Sequence, residues 1–132
     1  VKRARERGIK AGLLRLRLIR PFPDDDIRNA LRGIKAVAVI DQNISVGKGG
    51  ILYQEIAGTL YNEKARPLLL SFIGGLGGKN ISPGEFEFIF DSMEKAVITG
   101  KIPDTQLLYT EAEMKDMERL KKIAGKGTSD KI

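Results

Sequence analysis

The stretch "AVAVIDQNISVGKGGILYQEIAGTLY", Ala36 to Tyr61, decides the fold. With Lys35 ahead of it, it opens on a continuous apolar run, Lys35 to Ile40. Runs of this kind fit strands covered by helices on both faces, as in a parallel sheet. An acid, Asp41, stands where the strand ends. A polar, glycine-rich loop follows, and then Ile51 to Tyr61 reads as a helix, with Leu52, Glu55, Ile56 and Thr59/Leu60 in helical register. Strand, glycine loop, helix is the local order from which open α/β sheets build ligand sites.

Moving outward, the same grammar repeats. Pro67 to Ile73, "PLLLSFI", reads as a second buried strand and ends in "GGLGGKN", Gly74 to Asn80. "SPGEF", Ser82 to Phe86, supplies a cap, a proline at the first helical position and an acid in the first turn. A helix is expected from there to about Ile98, closed by Gly100 and Pro103. On the N-terminal side, Asp24 to Arg32 reads as a short amphipathic helix opened by three aspartates, which suit its amides and dipole. Gly33 closes it. Lys10 to Ile19 alternates charged and apolar residues through Leu14-Arg15-Leu16-Arg17-Leu18 and reads as a strand, broken by "RPFP", Arg20 to Pro23. Val1 to Arg7 is helix-permissive and ends at Gly8. Thr110 to Ala124 reads as a last helix whose apolar stripe includes Ala112, Met114, Met117, Leu120 and Ile123. Packing on the chain's own core or on another subunit explains that stripe better than a membrane or calmodulin-type role. Strands alternating with helices imply an α/β fold with a parallel sheet and right-handed crossovers. One domain is expected over residues 1–124, with 125–132 as a flexible tail.

Composition narrows the chemistry. The chain has 132 residues, 42% hydrophobic and 30% charged, which describes a folded domain with a real core. Cysteine and histidine are both absent. Thiolate metal sites, iron–sulfur ligation, thiol catalysis and histidine general-base catalysis are therefore excluded within this chain. No apolar run approaches the roughly 18 residues of a membrane span. No signal-peptide pattern is seen, and a cytoplasmic location is expected. The net charge of +6 is concentrated at the start. There Lys2, Arg3, Arg5, Arg7, Lys10, Arg15, Arg17 and Arg20 face Glu6 alone. No aromatic residues interleave with them, so no base-stacking platform forms and nucleic-acid binding is a weak third reading.

Candidate site residues sit on the two glycine loops. The first loop offers Asp41, Asn43, Ser45, Gly47, Lys48, Gly49 and Gly50, followed by Glu55 on the helix. The second offers Gly74, Gly75, Gly77 and Gly78. Backbone amides and a helix N-terminus there could receive a phosphate or carboxylate. Yet "GKGG" has neither P-loop nor G-x-G-x-x-G spacing. The favoured reading is a shaped loop. Its glycines permit close backbone approach, Asn43 and Ser45 tie it locally, and Asp41 acts as a cap. Both loops belong at the C-terminal edge of the sheet and are expected to be neighbours facing one partner. Glu55 is expected to be partly buried in an ordinary interface ion pair.

With these elements placed, "ARERGIKAGLLRLRLIRPFP" (Ala4 to Pro23) resembles the opening of transketolase C-terminal-type domains. Together with "AVAVIDQNISVGKGGILYQEIAGTLY" and "LLLSFIGGLGGKNIS", it is similar to the corresponding domain in the alpha subunit of pyruvate:ferredoxin oxidoreductases and related 2-oxoacid:ferredoxin oxidoreductases. The resemblance covers about residues 4–100. It implies a three-layer, transketolase C-terminal-like sheet. It also implies an enzyme that converts a 2-oxoacid, coenzyme A and oxidised ferredoxin to an acyl-CoA, carbon dioxide and reduced ferredoxin. Thiamine diphosphate with magnesium and iron–sulfur clusters would be carried by other domains or subunits. This segment would then be a structural and interface component of an oligomeric assembly, with no catalytic, cofactor or metal residue of its own. The resemblance further implies a strand and small-residue loop ahead of Val1 to Arg7, and a pyrimidine-binding domain further upstream. The chain is therefore expected to be the C-terminal part of a longer subunit, with a gap in its sheet or an open edge. The reading from a different class is a small regulatory α/β domain that binds an anion or nucleotide at the glycine loops.

Overall fold

Two short apolar segments with no charge between their ends nucleate the sheet. The computed structural model describes residues 1–45 and 48–127. In it β1 (Ala36–Asp41) and β2 (Leu68–Ile73) pair in parallel, with Ala36 opposite Leu68 and Asp41 opposite Ile73. A two-residue strand, β3 (Gln106–Leu107), extends the parallel sheet on the far side of β2, giving the order β1-β2-β3. Helices α2 (Asp24–Leu31) and α3 (Ile51–Leu60) cover one face, and α4 (Pro83–Thr99) covers the other. This is the three-layer α/β architecture expected from the sequence.

The strand alternation sorts the core into two halves. Val39 and Leu69 meet Ile27, Leu31, Ile56 and Leu60 beneath α2 and α3. Leu70 and Phe72 meet Ile89, Ala96 and Leu108 beneath α4. Phe72 also meets the ring edge of Phe88, with centroids 6.4 Å apart. β2 is buried along nearly its whole length, as a central strand should be. β1 is only half-buried, although its sequence is apolar on both faces, because among the described residues nothing pairs with its outer edge.

Helix ends follow their signals. Ser82 accepts from the Glu85 amide (3.3 Å) while the Glu85 carboxylate accepts from the Ser82 amide (2.7 Å), closing a capping box with Pro83 in the first turn. α4 stops at Gly100, whose φ of 69° only glycine adopts freely. Helix α1 (Lys2–Glu6) is short and lies along α4, stapled by Arg7 to Asp91 (3.1 Å) and by Arg3 to Glu87 (3.8 Å).

Three expectations are corrected. Lys10 to Ile19 is not a strand: it has no ladder partner among the described residues. Alternation gives it two faces, but a strand also needs a hydrogen-bonded neighbour. Only Leu16 touches the core, while Leu13, Leu14, Leu18 and Ile19 are exposed. The third strand of the sheet is instead β3, which the sequence reading left as loop. The last helix, α5 (Glu111–Gly127), runs past Ala124 into the segment expected to be tail. The rest of that segment, residues 128–132, lies outside the described residues.

Candidate functional site

The two glycine loops emerge side by side at the C-terminal end of β1 and β2. The Gly74 amide donates to the Asp41 carbonyl at 2.9 Å, continuing the ladder beyond both strands. Gly75 sits so close to Gln42 that a Cβ there would come within 2.8 Å of its side-chain nitrogen. The structure thus brings Asp41, Asn43, Ser45, Lys48, Gly49 and Gly50 together with Gly74 and Gly75. Gly77 and Gly78, with φ of 67° and 81°, shape the exposed turn that follows. Gly47 lies outside the described residues.

Asp41 organises this edge. Its carboxylate is buried and accepts from the amides of Leu52 (2.9 Å) and Tyr53 (3.1 Å) in the first turn of α3. Asn43 Oδ1 accepts from the Ile51 amide at 3.0 Å. The free donors that could greet an anion at this helix start are therefore already satisfied, and the charge beneath them is negative. The loop returns through Ser45, which uses its backbone: its amide donates to the Gly49 carbonyl at 2.6 Å. Gly49 has φ 80°, and a Cβ there would strike Thr105 Oγ1 at 2.6 Å and Ser71 Oγ at 3.2 Å. Thr105, itself exposed, donates to the buried Ser71 at 3.1 Å, a polar contact joining the approach to β3 with β2. Lys48 is exposed. Glu55 is half-buried and pairs with Arg20 at 2.5 Å, which ties the "RPFP" corner to α3.

A second polar cluster closes the edge from the α4 side, and the sequence reading missed it. Lys79 follows the second glycine loop and bridges Glu85 (3.4 Å) to Glu113. Glu113 also accepts from the Thr110 amide (2.8 Å) and hydroxyl (3.0 Å), capping α5. The signal was present in two capping boxes, Ser82-x-x-Glu85 and Thr110-x-x-Glu113. That one lysine joins them across 34 residues is visible only in the fold.

Hydrogen bonds from Lys79 and then Thr110 hold the Glu113 carboxyl down to about 2. Burial alone would push Glu85 up, but the Ser82 donors and Lys79 outweigh it and its carboxyl is lowered. The hydrogen bond to Glu113 raises Lys79. Groups depressed in the folded state stabilise above their ordinary value and lose that contribution as pH falls through the folded value. The Glu113 contribution to α5 is therefore full above the ordinary carboxyl range and is lost progressively as pH falls from there to about 2. In Lys79→Met, the acid loss of α5 helicity moves toward the ordinary carboxyl range. Circular dichroism at stepped pH checks this, and an unchanged acid limb would refute it.

Two surface hollows, of about 410 Å³ along α5 and about 500 Å³ beside Tyr61 and Arg66, lie away from this edge. The edge instead presents an apolar rim. Ile44 (54% exposed), Leu76 (42%) and Leu107 (42%) point to solvent around the closed glycine loops. Ile51, at the start of α3, adds to them.

The fold and this edge define a parallel three-layer α/β domain whose C-terminal glycine loops are closed by its own side chains. Residues 1–86 match the family described as pyruvate:ferredoxin oxidoreductase core domain II, and the chain belongs to that family. It is 37% identical over 105 residues to the ketoisovalerate oxidoreductase subunit VorA of Pyrococcus furiosus, covering 80% of this chain and 27% of that protein. It is 39% identical over 106 residues to the pyruvate synthase subunit PorA of Thermotoga maritima, covering 80% and 26%. With PorA of Methanothermobacter thermautotrophicus it shares 42% over 85 residues, covering 64% and 21%. The chain thus spans about a quarter of the length of the first two relatives.

Proposed function

We propose that this chain serves as the domain II scaffold of a 2-oxoacid:ferredoxin oxidoreductase, most simply one acting on pyruvate. The overall reaction would join the acyl group of a 2-oxoacid to coenzyme A, release carbon dioxide and pass the electrons to ferredoxin in the cytoplasm. Thiamine diphosphate with magnesium, when bound, supplies the carbanion chemistry of such enzymes, and iron–sulfur clusters the electron path. This chain's donor set does not fit a cluster, since it has no cysteine. Among the described residues no group of three His, Cys, Asp or Glu could hold a metal ion. The cofactors are assigned to other domains or subunits, and the role left to this chain is to hold them in place.

The observation that carries this reading is the C-terminal edge itself. Asp41 and Asn43 occupy the amides an anion would need, which argues against the small-ligand alternative. The apolar rim of Ile44, Ile51, Leu76 and Leu107 remains to be covered, and a protein surface covers apolar area where a phosphate does not. Ile44→Asp combined with Leu76→Asp is expected to leave the domain folded and to lower its recovery in the assembled enzyme at least tenfold. Recovery at the wild-type level would sink the reading.

The open edge of β1 belongs to the same proposal. The carbonyls of Lys35 and Asp41 point toward β2, so the backbone groups of Ala36, Ala38 and Ile40 face outward, without a strand partner among the described residues. A strand of the same enzyme laid along that edge would pair them. Hydrogen exchange at Ala38 and Ile40 is expected to slow in the assembled enzyme relative to this chain alone. Equal exchange in both would rule the added strand out.

A further inference from the structure

α5 leaves the body of the domain. Glu113 is held by Lys79, and Met117 is half-buried, but every described side chain from Glu118 to Gly125 is exposed. The apolar residues do not stop where the body stops. Met114, Met117, Leu120 and Ala124 follow one another at spacings of three and four, so they form one stripe along the helix, with Ile123 at its border. Leu120 is 60% and Ile123 58% exposed. A stripe of this kind needs a covering surface, and the charges around it say which.

Acids dominate the first half of α5 (Glu111, Glu113, Asp116 and Glu118, against Lys115). Bases dominate the second half (Arg119, Lys121 and Lys122). The helix dipole favours that order along the axis but is indifferent to position around it. At 100° per residue, Glu118 and Lys121 fall on the same flank of the stripe, on the side opposite Asp116. None of Asp116, Glu118, Lys121 and Lys122 has an ion-pair partner among the described residues. Such a surface is complementary to itself when inverted.

We propose that α5 pairs antiparallel with α5 of a second copy of this chain about a two-fold axis near Leu120. Leu120 then meets its counterpart, Met117 lies against Ala124 of the second copy, and Glu118 lies over Lys121 of the second copy. The contact is isologous, so each ionic contact occurs twice. A helix of 17 residues is about 25 Å long. One helix pair buries less than the roughly 1,200 Å² of a standard stable interface, so the isolated chain associates weakly, in the micromolar range or above. This inference concerns a different face from the glycine-loop edge and does not depend on the enzyme assignment.

Sedimentation equilibrium of the full 132-residue chain, from micromolar to submillimolar concentration, tests it. The wild type is expected to move from one chain mass toward two. Leu120→Glu is expected to stay monomeric with a nearly unchanged thermal midpoint, since the side chain is 60% exposed and belongs to neither core cluster. Glu118→Lys alone, and Lys121→Glu alone, should each weaken self-association about tenfold, since two symmetric ion pairs become repulsions. Mixing these two charge variants should restore a dimer containing one of each. A wild type that is monomeric throughout overturns the proposal, as does a Leu120→Glu variant that still dimerises. A mixture that does not associate overturns the antiparallel arrangement.

Discussion

Gly50→Ala will unfold at markedly lower denaturant, with a loss of about 3 kcal/mol. The residue has φ −85° and ψ 155°, a conformation any amino acid adopts, so backbone freedom is not the reason for glycine here. The reason is space: a Cβ would lie 2.0 Å from the Asp41 carboxyl carbon. Asp41 cannot yield cheaply, because it is buried and accepts from two α3 amides. Either the carboxylate swings away, uncapping α3, or the start of α3 shifts off the sheet. The first costs a cap and the second costs packing. Two comparisons isolate the cause. Gly77→Ala meets open space and carries only the strain of φ 67°, about 1 kcal/mol. Gly50→Ala in an Asp41→Gly background should cost little beyond Asp41→Gly itself, because the three obstructing atoms, Cγ, Oδ2 and Cβ of Asp41, are then all gone. Urea midpoints for the four proteins give the cycle. Additive losses would show that the steric account of Gly50 is wrong.

That contact explains what could be read in the sequence and what could not. Apolar runs such as Lys35 to Ile40 and Pro67 to Ile73 announce strands because burial on both faces is a property of each residue alone. Ser82-Pro83 and Gly100 announce helix ends because the donors and the turn are local. The family was legible for a related reason: "IRPFP", the Asp41 loop and "GLGG" are local shapes in a fixed order. What failed needed a neighbour. Lys10 to Ile19 alternates as a strand does, yet finds no ladder partner among the described residues. β3 is two residues long and exists only because Phe72 and Ile73 lie beside it. At the candidate site, Asp41 was legible as a strand-end acid, but its reach to amides 11 and 12 residues on was not. Nor could the sequence show that Gly49 is confined by Thr105 and Ser71, since that depends on the approach to β3 crossing above β2.

Asp41→Ala separates a sealed helix start from a latent ligand site. The substitution removes the acceptor for the Leu52 and Tyr53 amides and leaves a small void at the end of β1. A loss of about 2–3 kcal/mol is expected, a cap and a buried hydrogen-bonded charge together. Asp41→Asn keeps one acceptor oxygen but turns an amide group toward a donor, so about half that loss should remain. The vacated position then resembles the phosphate sites of other α/β folds: free amides at a helix N-terminus, glycine behind them, and Lys48 on the adjoining loop. Sulfate stabilises most proteins by exclusion, so the informative quantity is the excess over wild type at equal concentration. Asp41→Ala should gain several degrees more in thermal midpoint from sulfate than the wild type gains, and chloride at matched ionic strength should not reproduce the difference. If both proteins respond alike, the amides have found another partner within the chain, and Asp41 is one cap among several. If the wild type alone responds, an anion binds despite the carboxylate, and the regulatory-domain reading regains its footing. The expected result makes Asp41 the built-in counterpart of a ligand: the fold supplies from β1 the negative charge that related architectures take from solution.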